Sequence, residues 1–219
     1  MQKKSSLILI CSFFLIGLAV IAQADILVVG SASNLELMSN LVVAFGANTG
    51  ILVDLRGPGS LEGLHRLSKG KTDVAFISRM LSDKEKASGL EGIPYCWDAV
   101  AVVVHPASRL ENLTRHELKE IFTGNRTKWD DGAGVVVLMR DSFSGTRQLF
   151  QEKIMGDESF APATVRIEKK GEGVIFSPIF STHQPQFFPL IQKEEDMLFS
   201  LAKIRGAIAY LSVGRIPKE

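Results

Sequence analysis

Cysteine is nearly absent. Only Cys11 and Cys96 occur in 219 residues, and Cys11 falls in an N-terminal leader, so a single thiol remains and no internal disulfide can form. Stability therefore has to come from a buried core. An excess of one charge is missing too: 25 Lys and Arg meet 24 Asp and Glu, which excludes a generally basic nucleic-acid binder. Histidine is sparse, and His65, His105, His116 and His183 show no i, i+3 or i+4 spacing and no cysteine partner, which argues against a metal site. With 8 prolines, and 46% hydrophobic against 22% charged residues, the composition is not that of a disordered chain. No internal repeat or low-complexity tract is visible.

The N-terminus accounts for part of the hydrophobic content. Lys3 and Lys4 precede an apolar stretch from Leu7 to Ile21 that ends in Ala22-Gln23-Ala24, the three parts of a cleavable secretory signal. The stretch falls short of the roughly 20 residues a membrane-spanning helix needs, which speaks against an uncleaved anchor. Cys11 lies too early, without a small residue before it, to be a lipoprotein cysteine. Cleavage is expected after Ala24, leaving residues 25–219 as a soluble periplasmic or secreted chain. The leader carries two lysines and no acid, so the mature net charge is −1. So neutral a surface has no broad field, and a charged ligand has to be recognised by a few aimed donors.

Short apolar runs alternate with helical patterns, the signature of α/β layering. Strands are expected at Ile26 to Val29, Ile51 to Leu55, Asp73 to Ile77, Ala99 to Val104, Val135 to Met139 and Ala207 to Val213. Helices are expected from Asn34 to Gly50, from Ser60 through Leu67, from about Ser82, from Thr114 to Phe122, after Ser144 through Ile154, and from Met197 to Ile204. Between Gly171 and Pro189 the proline, phenylalanine and glycine content predicts loops with a strand near Val174.

One local device recurs: a strand, a Gly/Ser turn, then a helix N-terminus. Ser33, Ser60 and Ser144 are the expected N-caps, and Glu36 three residues beyond Ser33 completes a capping-box pattern. Helix N-termini carry unpaired N–H groups and partial positive charge, so three of them converging on one cleft would bind an anion with little formal charge. Serine at a helix start is also ordinary capping. The turn Arg140-Asp141-Ser142-Phe143-Ser144-Gly145-Thr146 is more specific. Its guanidinium offers a planar donor fork for a tetrahedral oxyanion, with the Ser144 and Thr146 hydroxyls and the Gly145 N–H beside it.

These residues resemble the phosphate-binding proteins of ABC importers, a group of the type II periplasmic binding proteins. The resemblance rests on Gly30-Ser31-Ala32-Ser33, Gly57-Pro58-Gly59-Ser60 and Asp73 to Arg79 followed by Leu81 and Glu85. Asp98 to Val104, Asn112-Leu113-Thr114 with Ile121 to Gly124, Trp129, Arg140 to Thr146 with Phe150, and Gly206 to Tyr210 continue it in order. It covers nearly all of residues 26–214.

The resemblance implies an α/β, two-lobed type II periplasmic binding protein fold. Residues 25–98 would form the first lobe, 99–104 a crossing strand, 105–206 the second lobe, and 207–219 the returning strand and tail. It implies binding rather than catalysis, with no cofactor, no metal and no nucleic acid. The ligand would be inorganic phosphate or a related oxyanion, held by Ser33, Asn34, Ser60 and Ser78 and by Arg140, Ser144, Gly145 and Thr146, for delivery to the membrane permease of an ABC importer. In well-known members a carboxylate accepts the proton of hydrogen phosphate where this chain has Ser78, a group that both donates and accepts, so which oxyanion is preferred stays open. Arg79 next to it is either a second cation for the cleft or a surface partner of Asp83, and the surface role is favoured. The family usually continues beyond the returning strand, so the first lobe is expected to be shortened, or completed by a partner or a second copy.

Two other functions are weighed. An exported phosphate-ester hydrolase would use Ser144 as nucleophile, but no Gly-x-Ser-x-Gly elbow surrounds it and no histidine is marked as its base. A sensor with the same fold would present phosphate occupancy to a membrane receptor instead of an importer. Asp130 and Asp131 beside Trp129 are adjacent loop acids, and the sequons at Asn112 and Asn125 are frequent chance matches.

Overall fold

The computed structural model describes residues 24–179, 188–193 and 195–216. The leader up to Gln23, and His183, lie outside the described residues. Two sheets organise the rest. In the first, β1 (Ile26–Gly30) lies between β2 (Val53–Arg56) and β3 (Val74–Phe76), all parallel, with Ile26 opposite Val53 and Val28 opposite Val74. Helices α1 (Leu35–Thr49), α2 (Ser60–Ser68) and α3 (Asp83–Ala87) follow these strands in turn. Gly63 lets α2 lie against β1, because a β-carbon there would come within 2.5 Å of the Val29 carbonyl oxygen. Helix α1 is apolar nearly all round, yet none of its residues is fully buried, and Leu37, Leu41, Val43 and Phe45 are exposed.

The second sheet has six strands in the order β4-β9-β5-β8-β6-β7. They are β4 (Val100–Val104), β5 (Val136–Arg140), β6 (Val165–Lys170), β7 (Gly173–Pro178), β8 (Pro189–Ile191) and β9 (Ala207–Ser212). Strand β9 runs antiparallel to β4 and parallel to β5, and all its residues are buried, as a central strand covered on both faces should be. Period-two alternation divides the core. Val137 and Met139 of β5 join Ile208 and Tyr210 of β9 on one face, under α4 (Arg115–Phe122) and α5 (Gly145–Phe150), while Leu138, Ala209 and Leu211 face α6 (Glu195–Lys203). Phe150 stacks on Tyr210 with ring centroids 4.4 Å apart, and Phe122 packs 4.7 Å from Phe150. Residues Gln151–Met155 continue α5 as a π turn.

Strand and helix positions mostly follow the expected pattern, with ends shifted by a residue or two. The strand expected near Val174 is β7, which forms a hairpin with β6, Val165 opposite Pro178; β6 itself was not expected, and β8, beside β5, is a further strand where loops were expected. Residues 180–187 lie outside the described residues. Strand β6, Val-Arg-Ile-Glu-Lys-Lys, lies between β8 and the edge strand β7 with Glu168, Lys169 and Lys170 exposed, and it offers no apolar run to recognise.

The aromatic cluster sets an expectation for stability. Phe122→Ala should cost about 3–5 kcal/mol in urea unfolding, the usual loss for a fully buried Phe, whereas Phe45→Ala on the exposed flank of α1 should cost under about 1 kcal/mol. Equal losses would contradict this division of the core.

Candidate functional site

The C-terminal ends of β1, β2, β3 and β5 each run into a short turn, and these turns converge between the two sheets. After β1, Ser31, Ser33 and Asn34 are all buried. The Ser31 and Ser33 hydroxyls share a hydrogen bond of 2.9 Å, and Ser33 Oγ meets Thr146 Oγ1 across the interface at 2.9 Å. Ser33 is therefore not the helix cap. Asn34 holds the N-cap position of α1 without a side-chain cap bond, and its Nδ2 donates to the Tyr95 hydroxyl at 2.7 Å. Glu36 accepts from Arg215 Nη1 at 3.3 Å, and Arg215 Nη2 donates to the Ala32 carbonyl at 2.8 Å, which ties the turn to the end of β9.

After β2, Gly59 is the N-cap of α2 and Ser60 its first helical residue, so Ser60 does not cap either. Gly59 has φ 131°, a backbone conformation that glycine adopts without strain, and a β-carbon there would also fall 2.8 Å from the Phe143 carbonyl oxygen. Ser60 is fully buried; its Oγ lies 3.4 Å from Ser78 Oγ and accepts from the Ser78 N–H at 3.3 Å. Opposite them stands Gly145. A β-carbon on Gly145 would lie 2.3 Å from both serine hydroxyl oxygens.

The β5 turn carries the remaining candidates. Ser144 caps α5 as expected, accepting from the Arg147 N–H at 3.3 Å, which commits this hydroxyl to the helix start. Arg140 is 3% exposed; its N–H donates to the Tyr210 hydroxyl and its Nη2 to the Gln192 carbonyl, each at 3.3 Å. Burial pushes the Tyr210 phenol up to about 12, so it stays neutral and accepts that bond at any physiological pH. Arg147 holds the Arg140 carbonyl at 2.5 Å and lies over the Phe160 ring.

Arg79 belongs to neither role considered for it. Its guanidinium grips Glu85 at 2.7 and 2.8 Å and donates to Gln148 Oε1 at 2.5 Å, so the partner is Glu85, not Asp83, and the side chain bridges β3 to the helix after Ser144. The Arg79 hydrogen bond outweighs partial desolvation and, with Ser82, lowers the Glu85 carboxyl to about 2. Glu85 also closes a capping box with Ser82.

Ser33 and Thr146 are thus in direct contact, and Ser60, Ser78 and Gly145 form a second contact, each joining the first-sheet turns to the β5 turn. Ser144 and Arg140 belong to the same β5 turn, and the Asn34 amide is turned to Tyr95. Ser31, Tyr95, Arg147 and Arg215 were not singled out by sequence reasoning. Ser31 could have been found, since it shares the turn of Ser33; the other three depend on contacts far along the chain. Hydroxyls, an amide and a buried guanidinium make a donor-rich site suited to an oxyanion. No group of three or more His, Cys, Asp or Glu among the described residues could hold a metal ion.

Known proteins agree with this architecture. The fold class is that of the type II periplasmic binding proteins, α/β with mixed sheets and like the phosphate-binding members. The chain belongs to the family whose model is described as the PBP superfamily domain, which matches residues 20–219. Among curated relatives, the phosphate-binding protein PstS 2 of Streptococcus agalactiae is 27% identical over 52% of this chain and 39% of its own length. PstS 2 of Streptococcus pneumoniae is 32% identical over 47% of this chain and 35% of its own. The chain spans less than half the length of these curated relatives. A Clostridium perfringens protein solved with bound phosphate superposes with TM-score 0.69 at 23% identity, covering 88% of this chain and 72% of the other. An ABC-type phosphate transport receptor from Vibrio cholerae does so at 0.63 and 24%, with the same coverage. At these identities the structural likeness establishes the fold.

Two expectations follow from the site. Gly145→Ala should destabilise the protein by about 1–3 kcal/mol through overpacking, and in a Ser60→Ala, Ser78→Ala background the loss should shrink. Additive losses in thermal unfolding would show that the hydroxyls are not what the β-carbon meets. The second concerns pH. The folded carboxyl of Glu85 titrates below its ordinary value of 4.5, so its stabilisation is complete above that value and fades as pH falls toward about 2. Glu85→Gln should therefore be less stable than the parent at pH 7, with the gap closing between pH 4.5 and 2; a gap independent of pH would rule this out.

Proposed function

We propose that the protein is an exported solute-binding protein that holds inorganic phosphate, or a related tetrahedral oxyanion, between two lobes formed by residues 25–98 and 105–206. Residues 99–104 and 207–213 link the lobes, and the bound anion is delivered to the membrane permease of an ABC importer. The observation that carries the reading is the pair of contacts across the two sheets, Ser33 with Thr146 and Gly145 with Ser60 and Ser78. Donors from both lobes face one another where strand ends meet helix starts, the place where open α/β sheets bind ligands. The curated relatives named as phosphate-binding proteins support the same ligand.

Ser33 and Ser60 gain significance from not capping their helices, since the Ser33 hydroxyl bonds Thr146 on the facing sheet and the Ser60 hydroxyl bonds Ser78 directly opposite Gly145. A desolvated dianion is tolerable only when nearly every oxygen lone pair meets a donor, and Arg140 supplies the buried cation. Ser78 occupies the position of the family's selective carboxylate. As a hydroxyl it does not repel a fully deprotonated oxyanion, so discrimination against sulfate falls to the remaining shell. No helix among the described residues is long and apolar enough to cross a membrane.

Calorimetric titration with phosphate, sulfate, molybdate and tungstate at two pH values tests the reading. Phosphate binding that weakens by at least about 2 kcal/mol in Arg140→Ala is the expected result, because removing the guanidinium leaves the buried anion without its cation. Unchanged affinity in that variant would place the site elsewhere, and a folded protein that binds none of the four anions would end the proposal.

A further inference from the structure

A cavity of about 990 Å³ opens directly beside the donor cluster. Asn34 and Ser78 line it and belong to the cluster as well, so the two spaces meet at these residues. Its size lies at the upper end of pockets that hold organic ligands, about 300–1,000 Å³, and far exceeds what a bare oxyanion fills. Beyond the junction the walls turn to carbon: Ile77, Leu81, Leu90, Ile93, Val102 and Phe150 line it, from the first-sheet side and from the second. Trp97 and Ile93 stand at its edge, almost wholly exposed.

The basic groups in the wall already have acidic partners, and the exposed acid Glu91 in the same wall would repel an anion rather than hold one. Arg79 is held by Glu85, Lys86 meets Asp83 at 3.3 Å, Lys153 meets Glu152 at 2.6 Å, and Asp98 accepts from Ser212 Oγ at 2.9 Å. An anion in the cluster would therefore turn one side toward apolar wall. An oxygen placed there would exchange water for carbon without gaining a donor, which is costly. A carbon substituent in the same direction removes that cost and gains apolar burial.

We propose that the ligand is an organic phosphate, a phosphonate or phosphate monoester whose oxygens enter the hydroxyl cluster and whose compact apolar group enters this cavity. The inference rests on the oxyanion reading above and narrows it to a ligand class. The Asn34–Tyr95 hydrogen bond at the junction would fix the wall against which the organic group packs.

Titration with phenylphosphonate and with inorganic phosphate tests it. Phenylphosphonate should bind at least about tenfold more tightly, and Ile93→Asp, at a position 89% exposed and outside the donor cluster, should remove most of that advantage while leaving phosphate affinity unchanged. Phosphate binding without a phenylphosphonate advantage would overturn the inference and leave the oxyanion reading standing. An advantage untouched by Ile93→Asp would overturn the assignment to this cavity, and binding of neither anion would overturn the oxyanion reading and this inference together.

Discussion

Gly145 has no β-carbon, and the meeting of the two sheets depends on that. Its Cα side faces the Ser60 and Ser78 hydroxyls so closely that any side chain would occupy the space of their oxygens. The neighbouring Ser33–Thr146 bond then follows from the same approach, since Thr146 is the next residue of the same helix turn. Gly59 makes the complementary concession on the other side, where a β-carbon would strike the backbone of Phe143. Two glycines, one from each half, therefore set how closely four hydroxyls are gathered. The strands behind them fix the direction of approach, because all four turns leave the same ends of their strands.

Strands β1, β5 and β9 were legible because interior strands, covered on both faces, read as unbroken apolar runs. Strand β6 was not, since its C-terminal half is charged, and β8 has only three residues, the first of them a proline. The caps divide instructively. Ser82 with Glu85 and Thr114 with Glu117 form the reciprocal bonds that their spacing suggests. Ser33 with Glu36 has the same spacing and forms neither bond, because Thr146 takes the hydroxyl and Arg215 takes the carboxylate. A capping pattern records a local possibility, and a partner more than a hundred residues away can outbid it. The departure of Ser33 and Ser60 from capping thus marks the turns where the two sheets meet.

The arginines show the same limit. Arg140, Arg147, Arg79 and Arg215 all lie near the converging turns, and their roles differ by partner. Arg147 braces the Arg140 carbonyl and lies over Phe160, while Arg79 locks the β3 turn to Glu85 and Gln148. Arg215 ties the chain after β9 back to Ala32. Composition marks a near-neutral protein, and these contacts show how four of its arginines are distributed: Arg140, the buried one, belongs to the donor-rich turn, and the half-buried others pin the segments around it.

The core is shared unequally. Both large buried clusters lie on the six-stranded sheet, whereas the three-stranded sheet keeps little more than Val28, Val29, Leu64, Phe76 and Leu81. Its amides are therefore expected to sit toward the weakly protected end of the local-unfolding spectrum. A molecule that grips Ser33 and Ser60 on one side and the Arg140–Thr146 turn on the other would lend the smaller sheet part of the larger sheet's rigidity. Occupancy would then be felt first as slowed opening of the smaller half, a dynamic signal carried by a fold whose average shape need hardly change.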